Sequence, residues 1–308
     1  MTPASPVLTR YIGRFAPSPS GPLHLGSLYA ALASFLDARN QEGQWLVRID
    51  DIDTPRNVAG AADSILKTLE RFGLTWDGDV YYQSRHLEHY RYYLDLLKDQ
   101  ELLYPCLCSR KSLAEIKHSA IYPGLCRHRT FPEKSPHAVR IRVEAIHSTF
   151  NDRLQGTQSE NLATQHGDFI LRRKDAIFSY QFTVVIDDHL QGVTDIVRGV
   201  DLLDSTIKQV FLQQKLDFKQ PSYMHVPLIT DSNGIKLSKQ SFARPVATDH
   251  PSRVIFSLLE LLKQAPPQEL ADASLSEILD WAISHWQPGH LSTMTAICPA
   301  ADLDASYV

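Results

Sequence analysis

FAPSPSGPLHLGSLYAALASFLDAR, residues 15–39, is the stretch whose reading decides the fold. A turn dense in Pro, Ser and Gly, with one histidine, runs straight into a segment that puts Leu28, Ala31, Leu32, Phe35 and Leu36 on one helical face. The residues before it, TRYIGRFAP at 9–17, have strand-like content and are stopped by prolines. Strand, loop and helix in that order predict the first unit of a parallel sheet. In such a sheet ligands sit beyond the carboxyl ends of the strands, and the first strand-to-helix turn is the commonest phosphate site. Gly21 and Gly26 allow close backbone approach, and His24 can donate to an oxyanion. The helix N-terminus, expected near Gly26 or Ser27, offers unpaired N–H groups and the positive end of a dipole. From the loop alone, a nucleotide phosphate site and a proline-stiffened connection are equally good readings.

Further along, QWLVRIDDID at 44–53 reads as a buried strand closing in acids, and Asp63 to Phe72 as a helix ended by Gly73. From Tyr104 to Ser179 the pattern changes to cysteines, scattered prolines, short β-like pieces such as AVRIRVE and the polar run NDRLQGTQSENLATQHGD. That change predicts an inserted module. Sheet-type sequence resumes with SYQFTVVIDD and GVTDIVRG, followed by a helical DLLDSTIKQVFLQQKL and a strand YMHVPLIT. Beyond Pro245, SRVIFSLLELLKQ and SLSEILDWAISHW predict two helices separated by the APPQ break. The expected fold is α/β, with a Rossmann-type parallel sheet built in two halves, 1–103 and 180–245. The module at 104–179 interrupts it and a helical region at 246–308 follows.

A chain of 308 residues with 43% hydrophobic content has ample material for a core. No basic stretch followed by an apolar run opens it, and nothing approaches the roughly 18 apolar residues of a membrane span, so a cytoplasmic protein without membrane attachment is expected. A net charge of -4 argues against a protein coated in positive field. RHR at 127–129 and RRK at 172–174 are concentrated, so any nucleic-acid contact would be regional. Nothing suggests a coiled coil, and a monomer is expected. The tail ADLDASYV is expected to be solvated, and Cys298 to be a small buried hydrophobe.

Cys106, Cys108 and Cys126 lie close together, and three clustered thiols in a cytosolic chain point to a metal more than to a disulfide. Zinc takes four ligands, and three thiolates from one short segment supply most of a tetrahedron; free thiols are the alternative. Chemistry alone nominates His128 or His118 as the fourth ligand. A separate signal is GIKLSKQS at 234–241, which follows a DSNG turn. Its Lys236 and Lys239 would neutralise phosphates as a leaving group departs, although such pairs are common in exposed loops.

Together, PxxxGxxHxG before the first helix and KLSKQ after a late strand resemble the HIGH and KMSKS signatures of class I aminoacyl-tRNA synthetases. RFAPSPSGPLHLGSL, then RIDDIDTPR at 48–56, VVIDDHLQGVTDIVRGVDLLDST at 184–206 and KLSKQ resemble, in order, the catalytic core of glutamyl-tRNA synthetases over residues 10–245. The resemblance implies that Arg14, Phe15, Ala16, Pro17 and Ser18 recognise L-glutamate, with Arg14 paired to its side-chain carboxylate. Tyr180, at the mouth of a strand, and Arg198, at the end of VTDIVRG, are the further contacts it implies. Asp50 stands where the family has a glutamate for the substrate ammonium; it keeps the charge and reaches one methylene less. His24 and Gly26 would hold the phosphate chain of ATP, with Mg²⁺ accompanying it, while Lys239, helped by Lys236, would neutralise the departing pyrophosphate. No side-chain nucleophile is needed, because the substrate α-carboxylate itself attacks the α-phosphorus.

The resemblance also implies a structural Zn²⁺ with Tyr122, within Y-x-x-x-C, as its fourth ligand, making the insertion a zinc-bearing module that faces nucleic acid. About seventy residues follow Lys239, enough for helices that contact a tRNA stem and too few for an anticodon-binding domain. The likeness is then to short family members that activate glutamate without tRNA and place it on queuosine in the anticodon stem-loop of tRNA(Asp). A short enzyme charging a tRNA acceptor end is the first alternative. A non-catalytic tRNA-binding or amino-acid-sensing paralogue is the second, and the presence of His24, Gly26, Lys236 and Lys239 counts against it. A general nucleotidylyltransferase could share the phosphate motifs but would not be expected to carry Arg14, Tyr180 and Arg198 in this context.

Overall fold

Short apolar runs punctuated by Gly and Pro fold as strands, and the amphipathic runs between them fold as the helices that cover the sheet. A computed structural model describes residues 10–114, 121–132, 135–230 and 245–298. The first half consists of β1 (Ile12–Phe15), α1 (Leu25–Asn40), β2 (Gln44–Ile49), α2 (Ala61–Arg71), β3 (Tyr81–Tyr82) and α3 (Leu87–Asp99). Its strands form a parallel sheet in the order β1-β2-β3. The middle stretch gives β4 (Leu103–Cys106), α4 (Arg110–Ala114), β5 (Ala138–Ile141), β6 (His147–Asp152), β7 (Gly156–Asn161), α5 (Leu162–Gln165) and β8 (Ile170–Arg172). Then come α6 (Tyr180–Leu190), β9 (Asp195–Gly199), α7 (Leu203–Lys215), β10 (Ser222–Val226) and β11 (Leu228–Ile229). The described chain closes with α8 (Pro251–Leu261), α9 (Leu275–Ser284) and β12 (Ala296–Ile297), which pairs with β11.

The strands of the middle stretch do not form one sheet. β4, β5 and β8 form an antiparallel sheet, whereas the β6–β7 hairpin joins β10 and β9 in the order β7-β6-β10-β9. Residues 104–179 therefore supply strands to two sheets. Alternate side chains of β9 and β10 point to opposite faces, as the pleat requires. Val197, Met224 and Val226 pack in one core with α1, α8 and α9, and Ile196 and Tyr223 in another with α3, α6 and α7. The result is a sheet covered by helices on both faces.

The sheet of β1 and the sheet of β9 meet at the strand N-termini. Thr194 N–H donates to Ile12 O at 2.9 Å, and Ile12 N–H donates to Thr194 Oγ1 at 2.8 Å. Above that point β1 is laddered to β2 and β9 to β10, so a crevice opens between the carboxyl ends of β1 and β9.

Three expectations about elements are corrected. SYQFTVVIDD is the helix α6, not a strand: Phe182 through Asp188 are all buried, so this helix is covered all round and shows no polar face to betray its period. Tyr180 accordingly sits at a helix start and not at the mouth of a strand. α1 begins at Leu25, one residue ahead of the expected point, because His24 is its N-cap. YMHVPLIT divides into β10 and β11 at Pro227, which has no N–H to give to a ladder. Gly73 ends α2 as expected, with a left-handed φ of 70°.

Candidate active site

The crevice is a cleft of about 570 Å³. Arg14 and Phe15 reach it from the end of β1, Ala16, Pro17 and Ser18 from the following turn, and His24 and Gly26 from the start of α1. Tyr180 enters from α6 and Arg198 from β9. Residues more than 150 positions apart are thus gathered around one cavity. Lys236 and Lys239 lie outside the described residues. Asp50 is absent from the lining.

Beneath the cleft lies a buried charge network. Arg14, 3% exposed, donates from Nε and Nη2 to the two carboxylate oxygens of Asp188 at 3.1 and 3.5 Å. A guanidinium has five N–H donors, so this embrace holds one edge and leaves the other for a ligand. Arg48, fully buried, pairs with Asp188 at 2.7 Å, Asp50 at 2.8 Å and Asp187 at 3.8 Å. Asp187 also accepts from Tyr81, Gln83 and Tyr90 at 3.1, 2.7 and 2.8 Å. Burial alone would raise the Asp188 carboxyl, but the charges of Arg14 and Arg48 hold it below the usual range. Burial pushes Asp50 up to about 6 despite Arg48. The Arg48 bond takes Asp50 Oδ1, while its Oδ2 is buried with no partner among the described residues.

On the opposite wall Arg198, 5% exposed, is no surface charge. It donates from Nε to His225 Nε2 at 3.0 Å and from Nη2 to Thr206 Oγ1 and Gln209 Oε1 at 2.7 and 2.8 Å. Its Nη1 lies 3.4 Å from Tyr180 Oη. Between the walls, His24 Nδ1 accepts from Ser27 N–H at 3.2 Å, and Nε2 faces Ser27 Oγ at 2.9 Å. With Nδ1 accepting the cap bond, the neutral ring carries its proton on Nε2. Tyr29 of α1 also lines the cleft, and its hydroxyl is buried without a partner among the described residues.

The thiols converge elsewhere. Cys108 Sγ is 3.6 Å from Cys126 Sγ, and Tyr122 Oη is 3.4 Å from Cys106 Sγ and 3.7 Å from Cys108 Sγ. For zinc bonds of about 2.3 Å to sulfur and about 2.0 Å to oxygen, tetrahedral edges are about 3.8 and 3.5 Å, so the donor set fits the ion. His128 is not in this group, and His118 lies outside the described residues. Burial raises the Tyr122 phenol, and the Arg140 guanidinium lies 3.7 Å above its ring. Burial would raise Cys126 too, yet hydrogen bonds from Tyr122 and the Leu107 backbone lower it.

Residues 11–262 match the family described as tRNA synthetases class I (E and Q), catalytic domain. Over 280 residues the chain is 50% identical to the glutamyl-Q tRNA(Asp) synthetase of Aromatoleum aromaticum, covering 90% of this chain and 89% of that protein. The glutamyl-Q tRNA(Asp) synthetase of Pseudomonas putida strain GB-1 is 46% identical over 293 residues, 95% of this chain and 98% of that one. The chain belongs to the glutamyl-Q tRNA(Asp) synthetase family. The crystal structure of a glutamate tRNA ligase from Elizabethkingia meningosepticum, in complex with its amino acid, superposes with a TM-score of 0.80 at 26% identity, over 96% of this chain and 68% of that one. The fold is therefore the mixed α/β class I synthetase catalytic domain with a parallel sheet.

In this glutamyl-Q tRNA(Asp) synthetase family member, no helix of the described residues is long and apolar enough to cross a membrane. The basic runs are largely tied down. Arg127 pairs with Asp168 at 3.3 Å, Arg173 with Asp53 at 3.2 Å and Asp175 at 2.6 Å, and Lys174 donates to Leu107 O at 2.6 Å. Cys298 is exposed, contrary to expectation, because it follows a two-residue strand too short to cover it. Sequence reasoning missed Asp188, Tyr29, Asp152 and His225. The adjacent acids of VVIDDHL were a legible signal, since two carboxylates inside an apolar run need buried partners. Nothing in sequence alone couples Asp152 to His225.

Proposed function

We propose that this protein activates L-glutamate with ATP, without requiring tRNA, and transfers it to queuosine in the anticodon of tRNA(Asp). The observation that carries the reading is the convergence of Arg14, Tyr180 and Arg198 on the cleft that also receives His24 and the start of α1. Two buried guanidiniums and a phenol suit a small dicarboxylate, and a helix N-terminus in the same cavity suits a phosphate chain. The glutamyl-Q name shared by relatives at 46 to 50% identity supports the acceptor.

In this reading Arg14 pairs with the side-chain carboxylate of glutamate, Phe15 to Ser18 shape its seat, and Tyr180 and Arg198 orient its backbone end. Asp50 lies outside the lining and is given no contact with the ammonium. The glutamate α-carboxylate oxygen attacks the α-phosphorus, the bond to the bridging oxygen breaks, and pyrophosphate leaves with its electron pair. His24 and the backbone around Gly26 would hold the phosphates of ATP, which would bring Mg²⁺ with it to offset their charge; Lys236 and Lys239 would neutralise the leaving group. A hydroxyl of the queuosine cyclopentenediol then attacks the carbonyl of the adenylate, and AMP departs. Cys106, Cys108, Cys126 and Tyr122 would hold one structural Zn²⁺ in a module that faces the anticodon stem-loop. The enzyme would act as a cytoplasmic monomer.

The test is transfer of labelled glutamate, with ATP, to tRNA from cells that make queuosine and from cells that cannot. Label on the first pool alone is expected, together with glutamate-dependent pyrophosphate exchange in the absence of tRNA. Equal labelling of both pools would assign the acceptor end instead and overturn the queuosine assignment.

A further inference from the structure

Arg198 can serve a substrate only if its planar head is held in one orientation, and while Thr206 and Gln209 hold its Nη2, an imidazole holds its Nε. His225, on β10, is fully buried and touches two charged residues from different elements. Its Nε2 is the acceptor for Arg198 Nε–H at 3.0 Å, and its Nδ1 lies 2.6 Å from Asp152 Oδ2 at the end of β6. An arginine can only donate, so Nε2 must present its lone pair and the ring proton must sit on Nδ1, where it donates to Asp152. Thr206 Oγ1, 3.1 Å from the same Nε2, does not compete, because its own proton goes to Leu202 O at 3.0 Å.

Asp152 is itself fixed. Its Oδ1 accepts from the backbone N–H groups of Leu154, Gln155 and His225 at 3.0, 2.9 and 3.2 Å. Those three donors leave Oδ2 as the only oxygen facing the ring, and it must be an acceptor. We propose that Asp152 and His225 are positioning residues for Arg198: Asp152 sets the imidazole tautomer, and the lone pair so exposed at Nε2 turns the guanidinium toward the cleft. The proposal rests on the reading that Arg198 contacts glutamate.

The chemistry makes Asp152→Asn a sharp probe. The three backbone donors require the Asn oxygen at the Oδ1 place, which forces its NH₂ toward Nδ1. The ring proton would then move to Nε2 and meet Arg198 Nε–H donor to donor. At position 225, Gln keeps an acceptor at the place of Nε2, whereas Asn keeps only a donor toward Asp152. A second consequence concerns pH. His225 faces Asp152 of β6, Arg198 of β9, Asp201 just beyond it, and the Tyr223 ring of its own strand, with centroids 6.1 Å apart. Burial lowers its affinity for a proton, so the ring is neutral near pH 7 and gains a charge only in acid, where N–H would confront the guanidinium.

The experiment is glutamate-dependent pyrophosphate exchange by the full chain, with KM read separately for glutamate and ATP. Asp152→Asn and His225→Asn are expected to raise the glutamate KM about tenfold or more and leave the ATP KM unchanged, while His225→Gln stays within about threefold. The wild-type glutamate KM should climb as pH falls, more steeply than that of His225→Gln. Arg198→Ala separates the two claims. If it leaves the glutamate KM unchanged, the glutamate-contact reading of Arg198 fails and this proposal with it. If Arg198→Ala raises the KM and Asp152→Asn does not, only the positioning role is overturned. Should Asp152→Asn not fold, the two His225 variants decide: equal glutamate KM values in Gln and Asn overturn the proposal, and the Gln-over-Asn order supports it.

Discussion

Asp50 is a single methylene that changes a site. The family resemblance leads one to expect a carboxylate reaching into the cleft, and the shorter residue instead leans on Arg48 at 2.8 Å, outside the lining. Its environment sets a pH signature. Burial raises its folded pKa to about 6 from an ordinary 3.8, so the native state keeps a proton that the unfolded chain has already released. Stability from this group is therefore fully present below pH 3.8 and lost as pH rises through about 6. We expect the stability of the wild type relative to Asp50→Asn to fall by about 2 kcal/mol between those pH values, measured by urea unfolding at a series of pH values. A difference that rises with pH would mean that the Arg48 charge outweighs burial at Asp50. Asp50→Glu, which restores the missing methylene, should lower the glutamate KM by carrying the carboxylate to the cleft.

At the scale of elements, α1 is both a structural and a chemical device, because His24 caps the helix and lines the cleft at once. The two roles separate under mutation. His24→Ala loses the cap bond to Ser27 N–H and should cost about 1 kcal/mol of stability, together with a fall in glutamate-dependent pyrophosphate exchange. His24→Asn, a good cap with no reach to a phosphate, should recover the melting temperature and not the exchange rate. Recovery of both would reduce His24 to a cap. This element was legible in sequence because its Ala/Leu-rich run spaces Leu28, Leu32 and Phe35 on one helical face and a Pro/Gly turn with a histidine marks its start, although Ala31 to Ala38 are all buried. α6 was not legible, because it too has no wet face and its Val184, Val185 and Ile186 carry strand composition in place of the Ala and Leu of α1. The cleft residues were found by motif and brought together by the crevice between β1 and β9. The network behind them was not found, since Asp188, Asp152 and His225 matter only through partners that folding brings within hydrogen-bond reach.

At the scale of the whole molecule, the thiol cluster stands, among the described residues, apart from the two large cores. Tyr104, Cys106 and Cys126, with Cys108, Tyr122 and Phe131 around them, form a small apolar group of their own. Val139, Ile141 and Leu171 of the neighbouring antiparallel sheet belong instead to the core shared with α3, α6 and α7. Six side chains bury too little area to order a segment unaided, so the Zn²⁺ proposed for this cluster would supply that order. Stripping zinc with a chelator, or replacing Cys126 by Ser, should therefore abolish hydrogen-exchange protection around Cys106, Tyr122 and Cys126 while β5 and β8 stay protected. Pyrophosphate exchange should remain within about twofold, because neither the cleft residues nor their supporting network draws on the cluster. Transfer to tRNA should fall by about tenfold or more if this module faces the stem-loop, since a disordered surface must be ordered before it can bind. A parallel loss of pyrophosphate exchange would mean that the cluster also braces the cleft. Unchanged transfer would free the module from any part in holding tRNA.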